Sequence, residues 1–119
     1  YGRIDVGGAQ FAELIETCGA VVYPSAGEGT SGAIVQAMHA GLVPIITDIT
    51  GIQEDADYIP LDDNPTPESL AKTVREFSEM PPDHIRRFSK KIWAYARARY
   101  TREEFSKAYK KFIEEKLRL

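Results

Sequence analysis

The sequence has little that would support redox chemistry, structural zinc or a membrane span. Its only cysteine, Cys18, cannot form an internal disulfide, and one cysteine is too few for a cysteine-rich metal site. No run approaches the roughly 20 apolar residues that cross a bilayer. The first residues also lack the basic-then-apolar order of a secretory signal. We therefore expect a cytoplasmic protein.

Positive charge is scarce in the first two thirds of the sequence. Residues 1–83 carry fourteen carboxylates but only three cations, Arg3, Lys72 and Arg75, whereas twelve of the fifteen Lys and Arg residues follow His84. The segment between Arg3 and Lys72 contains no Lys or Arg. A phosphate group bound by this segment would therefore have to face backbone dipoles. The basic tail either contacts anionic lipid at the inner face of a membrane or, more simply, is a solvated helix face that pairs partly with the acidic front. No nucleic-acid-binding motif is recognisable.

Hydrophobic periodicity predicts one α/β domain over residues 1–119. A strand, a helix and a second strand with short links predict a βαβ unit with parallel strands, part of a Rossmann-like sheet. The first strand is continuously apolar, which predicts burial on both faces, and Pro44 places the first residues of the second strand outside the ladder. The predicted elements are a helix from Ala9 to Thr17, a strand over 20–23, a helix from Ser31 to Ala40 and a strand over 43–47.

The rest of the sequence predicts a helical part, 66–119, that follows the βαβ part, 1–65. A brief edge strand is expected at 58–60. Thr66 and Thr101 are predicted helix caps, and Pro82 opens the helix between them. The spacing of the apolar residues predicts that Leu70, Val74 and Phe77 face the core. Trp93 and the tail tyrosines are also expected in the core.

Glycine is concentrated in the loop Pro24–Gly32, at the predicted carboxyl end of the first strand. Gly27, Gly29 and Gly32 let the backbone approach a ligand closely, and the first amides of the next helix point their N–H groups at it. This arrangement suits a diphosphate. The loop has no Gly-Lys-Ser or Gly-Lys-Thr and is not a P-loop, and its glycines only approximate the dinucleotide fingerprint. Thr30 and Ser31 are predicted to cap the helix with their side chains.

A longer string of residues surrounds this loop and extends beyond it. In order, it comprises Tyr23-Pro24-Ser25, Glu28-Gly29, Gln36-Ala37-Met38, Ala40-Gly41 and Pro44, followed by Gly51-Ile52 and Glu54. The string resembles the C-terminal, nucleotide-sugar-binding domain of GT-B glycosyltransferases of the family 4 type. The resemblance implies transfer of a sugar from a nucleotide diphosphate donor to an acceptor hydroxyl, with retention of configuration, in polysaccharide or glycoconjugate synthesis. The chain would begin within that domain, and an absent N-terminal domain would hold the acceptor, a glycan or lipid-linked glycan.

The resemblance also implies the roles of individual residues. Glu28 matches the family glutamate that binds the sugar hydroxyls, whereas Gln36 stands where the family has a second glutamate on the ribose. An amide accepts with one oxygen and donates with its nitrogen, so ribose binding would be weaker or differently arranged. No cofactor is expected. Asp55-Ala56-Asp57 resembles an Asp-x-Asp metal-binding motif, but a single triplet of this kind is common in acidic loops, so no metal is expected either. The expected donor-binding residues are Glu28, Gly29, Thr30, Ser31, Gly32 and Gln36, with further loop contacts from Ser25, Gly27, Asp48 and Gly51.

Two other functions remain open at this point. A nucleotide-sugar epimerase of the same architecture would share the donor loop but act without an acceptor. A degenerate domain, with Gln36 as the lesion, would serve only as an interaction module. The closing helix is expected to leave an apolar stripe of Phe105, Tyr109 and Phe112 exposed, which would support a homodimer. His39 and His84 are expected to be packing or surface residues.

Overall fold

The computed structural model describes residues 2–27, 29–52 and 55–117. Three parallel strands form one open sheet, and five helices accompany it in these ranges, which confirms the predicted α/β class. No helix in the described ranges is both long and apolar enough to cross a membrane. In chain order the elements are α1 (Ala9–Thr17), β1 (Ala20–Tyr23), α2 (Gly32–His39), β2 (Val43–Ile46), β3 (Ile59–Pro60), α3 (Pro67–Ser78), α4 (Pro82–Arg99) and α5 (Arg102–Leu117).

The sheet has the order β1-β2-β3, with β2 in the middle. Pro44 pairs in register with Val21, so the expectation that it lies outside the ladder is wrong. The amide of Val43 donates to Gly19 O at 3.0 Å, toward β1. Successive residues of a strand point their backbone groups to opposite sides, so the nitrogen of Pro44 faces away from β1. The proline is tolerated because the short β3 begins pairing only at Ile45.

The two faces of the sheet bury two separate apolar clusters. Ile46 joins one cluster with Ile34 and Met38 of α2 and Ile92 of α4. On the opposite face, Val43 and Ile45 join Leu61 and Phe77, the latter from α3. The alternation of strand side chains therefore places α2 on one side and α3 on the other, whereas α4 joins the first cluster through Ile92 and also packs against the second through Ile85 and Phe88.

Strand β1 is less buried than its apolar sequence predicts. Val22 is 38% exposed, and no residue of this strand is fully buried. The expectation of burial on both faces is therefore wrong. Among the described residues β1 is an edge of the sheet, and a strand at an edge has neighbours on only one side.

The helices of the tail begin where their caps predict. Thr66 and Ser69 form a reciprocal capping box, and Thr101 Oγ1 accepts from the amide of Glu104 at 3.1 Å. Two inward assignments are wrong, because Val74 is 37% exposed and Trp93 is 47% exposed. Both lie on helices that face the sheet with one side only, so the side chains beside the buried stripe remain in solvent.

Helix α5 projects from the rest of the molecule. None of its described residues is buried, and it carries the expected apolar stripe, with Phe105 70%, Tyr109 57% and Phe112 53% exposed. The rings of Phe105 and Tyr109 stack with their centroids 5.9 Å apart. Tyr109 is thus not the core aromatic that was expected. The radius of gyration of 16.0 Å exceeds the roughly 13.5 Å of a compact chain of this length, as a projecting helix requires.

Candidate functional site

Two loops leave the carboxyl ends of β1 and β2 and meet there. Ligands of open α/β sheets bind at this end of the strands, because the loops that follow the strands converge there. The first loop runs from Pro24 to the start of α2, and the second follows Ile46. Their contacts therefore decide the shape of any ligand site.

Gly51 of the second loop lies against the backbone of the first. It has φ +74°, and a Cβ added to it would be 2.6 Å from Thr30 N and 2.7 Å from the carbonyl carbon of Gly29. Any side chain here would collide with backbone atoms that cannot move independently. The hydroxyl of Thr30 also donates to Gly51 O at 3.4 Å. Glycine at this position therefore allows the two loops to touch.

Two buried threonines stabilise the loops through hydrogen bonds to backbone carbonyls. Thr47 Oγ1 donates to Ser25 O at 2.6 Å, and Thr50 Oγ1 donates to Thr47 O at 3.2 Å. The carbonyl of Thr50 in turn accepts from Ser31 N at 3.3 Å. Both threonines are fully buried, so their hydroxyls need these acceptors. The sequence interpretation missed both, although two hydroxyls directly after an apolar strand were a usable signal.

The three glycines of the first loop are not required by the protein's own packing. A Cβ added to Gly27, Gly29 or Gly32 would meet nothing within 4 Å, and none of the three has a positive φ. They leave bare backbone facing open space. Such a surface is suited to a ligand that hydrogen-bonds to main-chain amides.

The N-terminus of α2 lies within this open surface. The first helical bond runs from Val35 N to Ser31 O, so the amides of Gly32 and Ala33 precede the hydrogen-bonded ladder. Ser31 occupies the N-cap position, but its side chain makes no capping bond, and the Thr30 hydroxyl is used by Gly51 O. Ser31 is therefore the N-cap residue, as predicted, but neither its side chain nor that of Thr30 caps the helix. The second loop binds the Ser31 amide through the Thr50 carbonyl and leaves the amides of Gly32 and Ala33 without a side-chain cap.

A family model described as glycosyl transferases group 1 matches residues 2–79 of the chain. The chain belongs to this family. The match includes both loops and the whole βαβ unit. Neither a curated protein nor a solved structure matches the chain.

The fold of this glycosyltransferase chain brings part of the predicted site together. Gly29, Thr30, Ser31, Gly32 and Gly51 are neighbours where the two loops meet. Glu28 lies outside the described residues. Gln36 is exposed one helical turn beyond Gly32, on the same face of α2, and Asp48 is exposed in the second loop. Ser25 and Gly27 lie earlier in the first loop, closer to β1, where Ser25 Oγ accepts from Gly27 N at 3.3 Å.

Residues 63–67 also approach the first loop, which the sequence interpretation did not anticipate. A cleft of about 430 Å³ separates them from the turn after β1. It lies on the α3 side of the loop and includes Leu70 in its wall. Apart from the position of residues 63–67 just after the last strand, the sequence contained no signal for this cleft.

The acidic triplet Asp55-Ala56-Asp57 is occupied by contacts to α4. Asp55 accepts from Tyr95 Oη at 2.7 Å and from Arg99 at 3.1 Å, and Asp57 lies 3.7 Å from Lys91 Nζ. Burial, then the hydrogen bond to Asp55, raises the pKa of Tyr95. These contacts confirm that the tail pairs partly with the acidic front. No group of three potential metal ligands occurs among residues 2–27, 29–52 and 55–117.

His39 has a structural contact in this chain. Its Nε2 atom lies 2.8 Å from Tyr100 O, so it joins the end of α2 to the end of α4. His84 is exposed on α4. Neither lies among the residues of the two loops.

Proposed function

We propose that this glycosyltransferase chain binds the diphosphate of a nucleotide sugar at the N-terminus of α2 and supports transfer of the sugar to an acceptor hydroxyl. The observation that carries the proposal is the bare backbone of Gly29 and Gly32, with Gly51 packed closely against Gly29 and Thr30. Membership of the family makes glycosyl transfer the reaction that such a site would serve.

The chemistry of the loop favours a diphosphate over a neutral ligand. The amides of Gly32 and Ala33 and the positive end of the helix dipole favour negative charge. No Lys or Arg lies between Arg3 and Lys72, so main-chain donors dominate this part of the site. As the bond from the sugar C1 to the diphosphate breaks, these fixed donors would stabilise the charge on the departing oxygen. The acceptor oxygen then forms the new bond to C1, and its proton passes to the departing diphosphate.

The sugar and ribose contacts of the proposed site follow from the family resemblance. Glu28 would bind sugar hydroxyls, and Gln36 would bind the ribose from the exposed face of α2 that it shares with Gly32. Ser25, Gly27, Asp48 and Gly51 would line the rest of the site. The acceptor would be a growing polysaccharide or a glycoconjugate. No cofactor and no metal take part in this proposal.

The variant Gly32→Ala tests the site without weakening the fold. Alanine favours the helix by about 0.4 to 1 kcal/mol, so we expect equal or higher stability. The added methyl group would occupy the open space in front of the α2 amides and lower affinity for nucleotide sugars at least tenfold, about 1.4 kcal/mol. Calorimetric titration with uridine, guanosine and adenosine diphosphate sugars measures the loss. Gly7→Ala is the control, since its Cβ makes only an ordinary 3.7 Å contact with Asp5.

The same titration distinguishes the proposal from its alternatives. Repeated by NMR, it supports the proposal if the amide shifts are confined to residues 25–36 and 48–51, and unchanged affinity in Gly32→Ala contradicts it. The enzyme is then supplied with donor and candidate acceptors. Product formed from donor alone, with an inverted sugar centre, would indicate an epimerase. Binding with no turnover would indicate a non-catalytic module.

A further inference from the structure

The outward face of α4 is strongly basic. Its exposed cations far outnumber its acids, since Asp83 is the only carboxylate in the helix. The cations recur at helical spacing and so form one continuous band along the solvent side. They are Arg86, Arg87, Lys90, Lys91 and Arg97.

Helix α5 carries five cations but also four carboxylates, so its net charge is small. Its lysines pair along the helix, with Lys107 2.7 Å from Glu104 and Lys110 3.9 Å from Glu114. Lys111 likewise lies 3.8 Å from Glu115. On α4, Arg86 pairs with Asp83 and Lys91 lies 3.7 Å from Asp57, but none of the described carboxylates forms an ion pair with Arg87, Lys90 or Arg97. The positive field of the tail is therefore concentrated on α4.

An exposed tryptophan lies within this band. Trp93 is 47% exposed, and the guanidinium of Arg97 lies 5.2 Å from its ring centroid. Lys90 precedes it by one helical turn. An indole with cations on both sides is the combination that membrane–water interfaces favour, since the ring sits among headgroups while the cations meet phosphates.

A recess beside the band adds an apolar component. It has a volume of about 540 Å³ and lies toward the N-terminal half of α4. Cationic and apolar side chains share its wall with one carboxylate, Asp57, which already lies beside Lys91, and this mixture suits a phosphate joined to a hydrocarbon chain better than a stacked nucleobase. The lining residues are Asp57, Met80, His84, Arg87, Phe88 and Lys91.

We propose that the outward face of α4 binds the surface of an anionic phospholipid bilayer. The contact is independent of the donor site, because it uses none of the proposed donor-binding residues. Of the helices in the basic tail, for which membrane contact was one expectation, the proposal assigns that contact to α4 alone. A chain with a net charge of -3 needs such a local concentration of cations to approach an anionic surface.

The test uses the whole chain, vesicles of phosphatidylcholine alone, and vesicles of phosphatidylcholine with phosphatidylglycerol in equal parts. Trp93 is the only tryptophan, so its fluorescence reports directly on the proposed contact. We expect binding to the anionic vesicles only, a blue shift of the emission, and quenching by brominated lipid. Each cation removed from near the surface should weaken binding about fivefold.

Two double variants with the same change of charge separate the α4 face from net charge. Arg87→Gln with Lys90→Gln should weaken vesicle binding about thirtyfold. Lys110→Gln with Lys111→Gln on α5 should change it less than threefold. Equal losses in both variants, an unshifted Trp93 emission on anionic vesicles, or binding of single-stranded RNA without binding of vesicles would each overturn the proposal.

Discussion

A Cβ atom on Gly51 would lie 2.6 Å from the amide nitrogen of Thr30, although the two residues belong to loops that follow different strands. The loop after β2 thus fixes the backbone of the loop after β1. Hydrogen bonds from the side chains of Thr47 and Thr50 also stabilise this arrangement of the two loops. The position of the α2 amides therefore depends on residues that would not themselves contact a donor phosphate.

The first prediction concerns Gly51→Ala. Its methyl group would displace Gly29 and Thr30, so we expect donor affinity to fall at least tenfold, together with a stability loss of about 1 to 2 kcal/mol for a positive φ. Gly41→Ala is the control, because Gly41 also has φ +80° but its Cβ would meet the Ser89 hydroxyl, at 2.9 Å. Urea unfolding and calorimetric titration of both variants separate the effects. Equal loss of affinity in both would show that loop contact is not the cause.

The second prediction concerns Gln36→Glu. A carboxylate accepts two charge-assisted hydrogen bonds from a ribose diol, so we expect affinity for nucleotide sugars to rise about tenfold, or 1.4 kcal/mol. Gln36 is exposed, and the substitution should leave stability nearly unchanged. Gln10→Glu on the exposed surface of α1 makes the same change of charge away from the loops. Weaker binding in Gln36→Glu alone would contradict a ribose role for this position.

The third prediction concerns Tyr95→Phe. This change removes the 2.7 Å hydrogen bond to Asp55, and we expect the free energy of unfolding at pH 7 to fall by about 1 kcal/mol. The folded-state pKa of Tyr95 is raised above the ordinary value of about 10, so its contribution is complete below that pH and is lost as the pH rises through the folded-state pKa.

Urea unfolding followed by circular dichroism at pH 7, 9 and 10.5 measures this dependence. The difference between the original chain and Tyr95→Phe should be the same at pH 7 and 9 and smaller at pH 10.5. A difference that does not shrink at the highest pH would show that the phenol proton is not involved.

Much of the fold follows from local sequence. Helix α1 and strand β1 have their predicted bounds, and α2 lies within the predicted range. Thr66 caps α3 as predicted, because a capping box depends only on residues within one turn. Periodicity and caps are local signals, and these elements obey them.

The errors occur where distant parts of the chain decide the outcome. Ser31 makes no side-chain cap bond, and its amide instead donates to the carbonyl of Thr50, 19 residues later in the chain. Trp93 is exposed because α4 packs with one side only, and helical spacing alone does not fix which side extends farthest into solvent. The contact of Gly51 with Thr30 likewise depends on the meeting of two loops. Sequence spacing identified both loops but could not specify their contact.

Strand β2 contributes side chains to both apolar clusters. Val43 and Ile45 belong to one cluster and Ile46 to the other, and all three are fully buried. An opening motion that separates either helical layer from the sheet therefore exposes part of the same four-residue strand. Its amides should exchange with solvent only when the domain unfolds as a cooperative unit, whereas α5, with none of its described residues buried, can fray independently of the sheet.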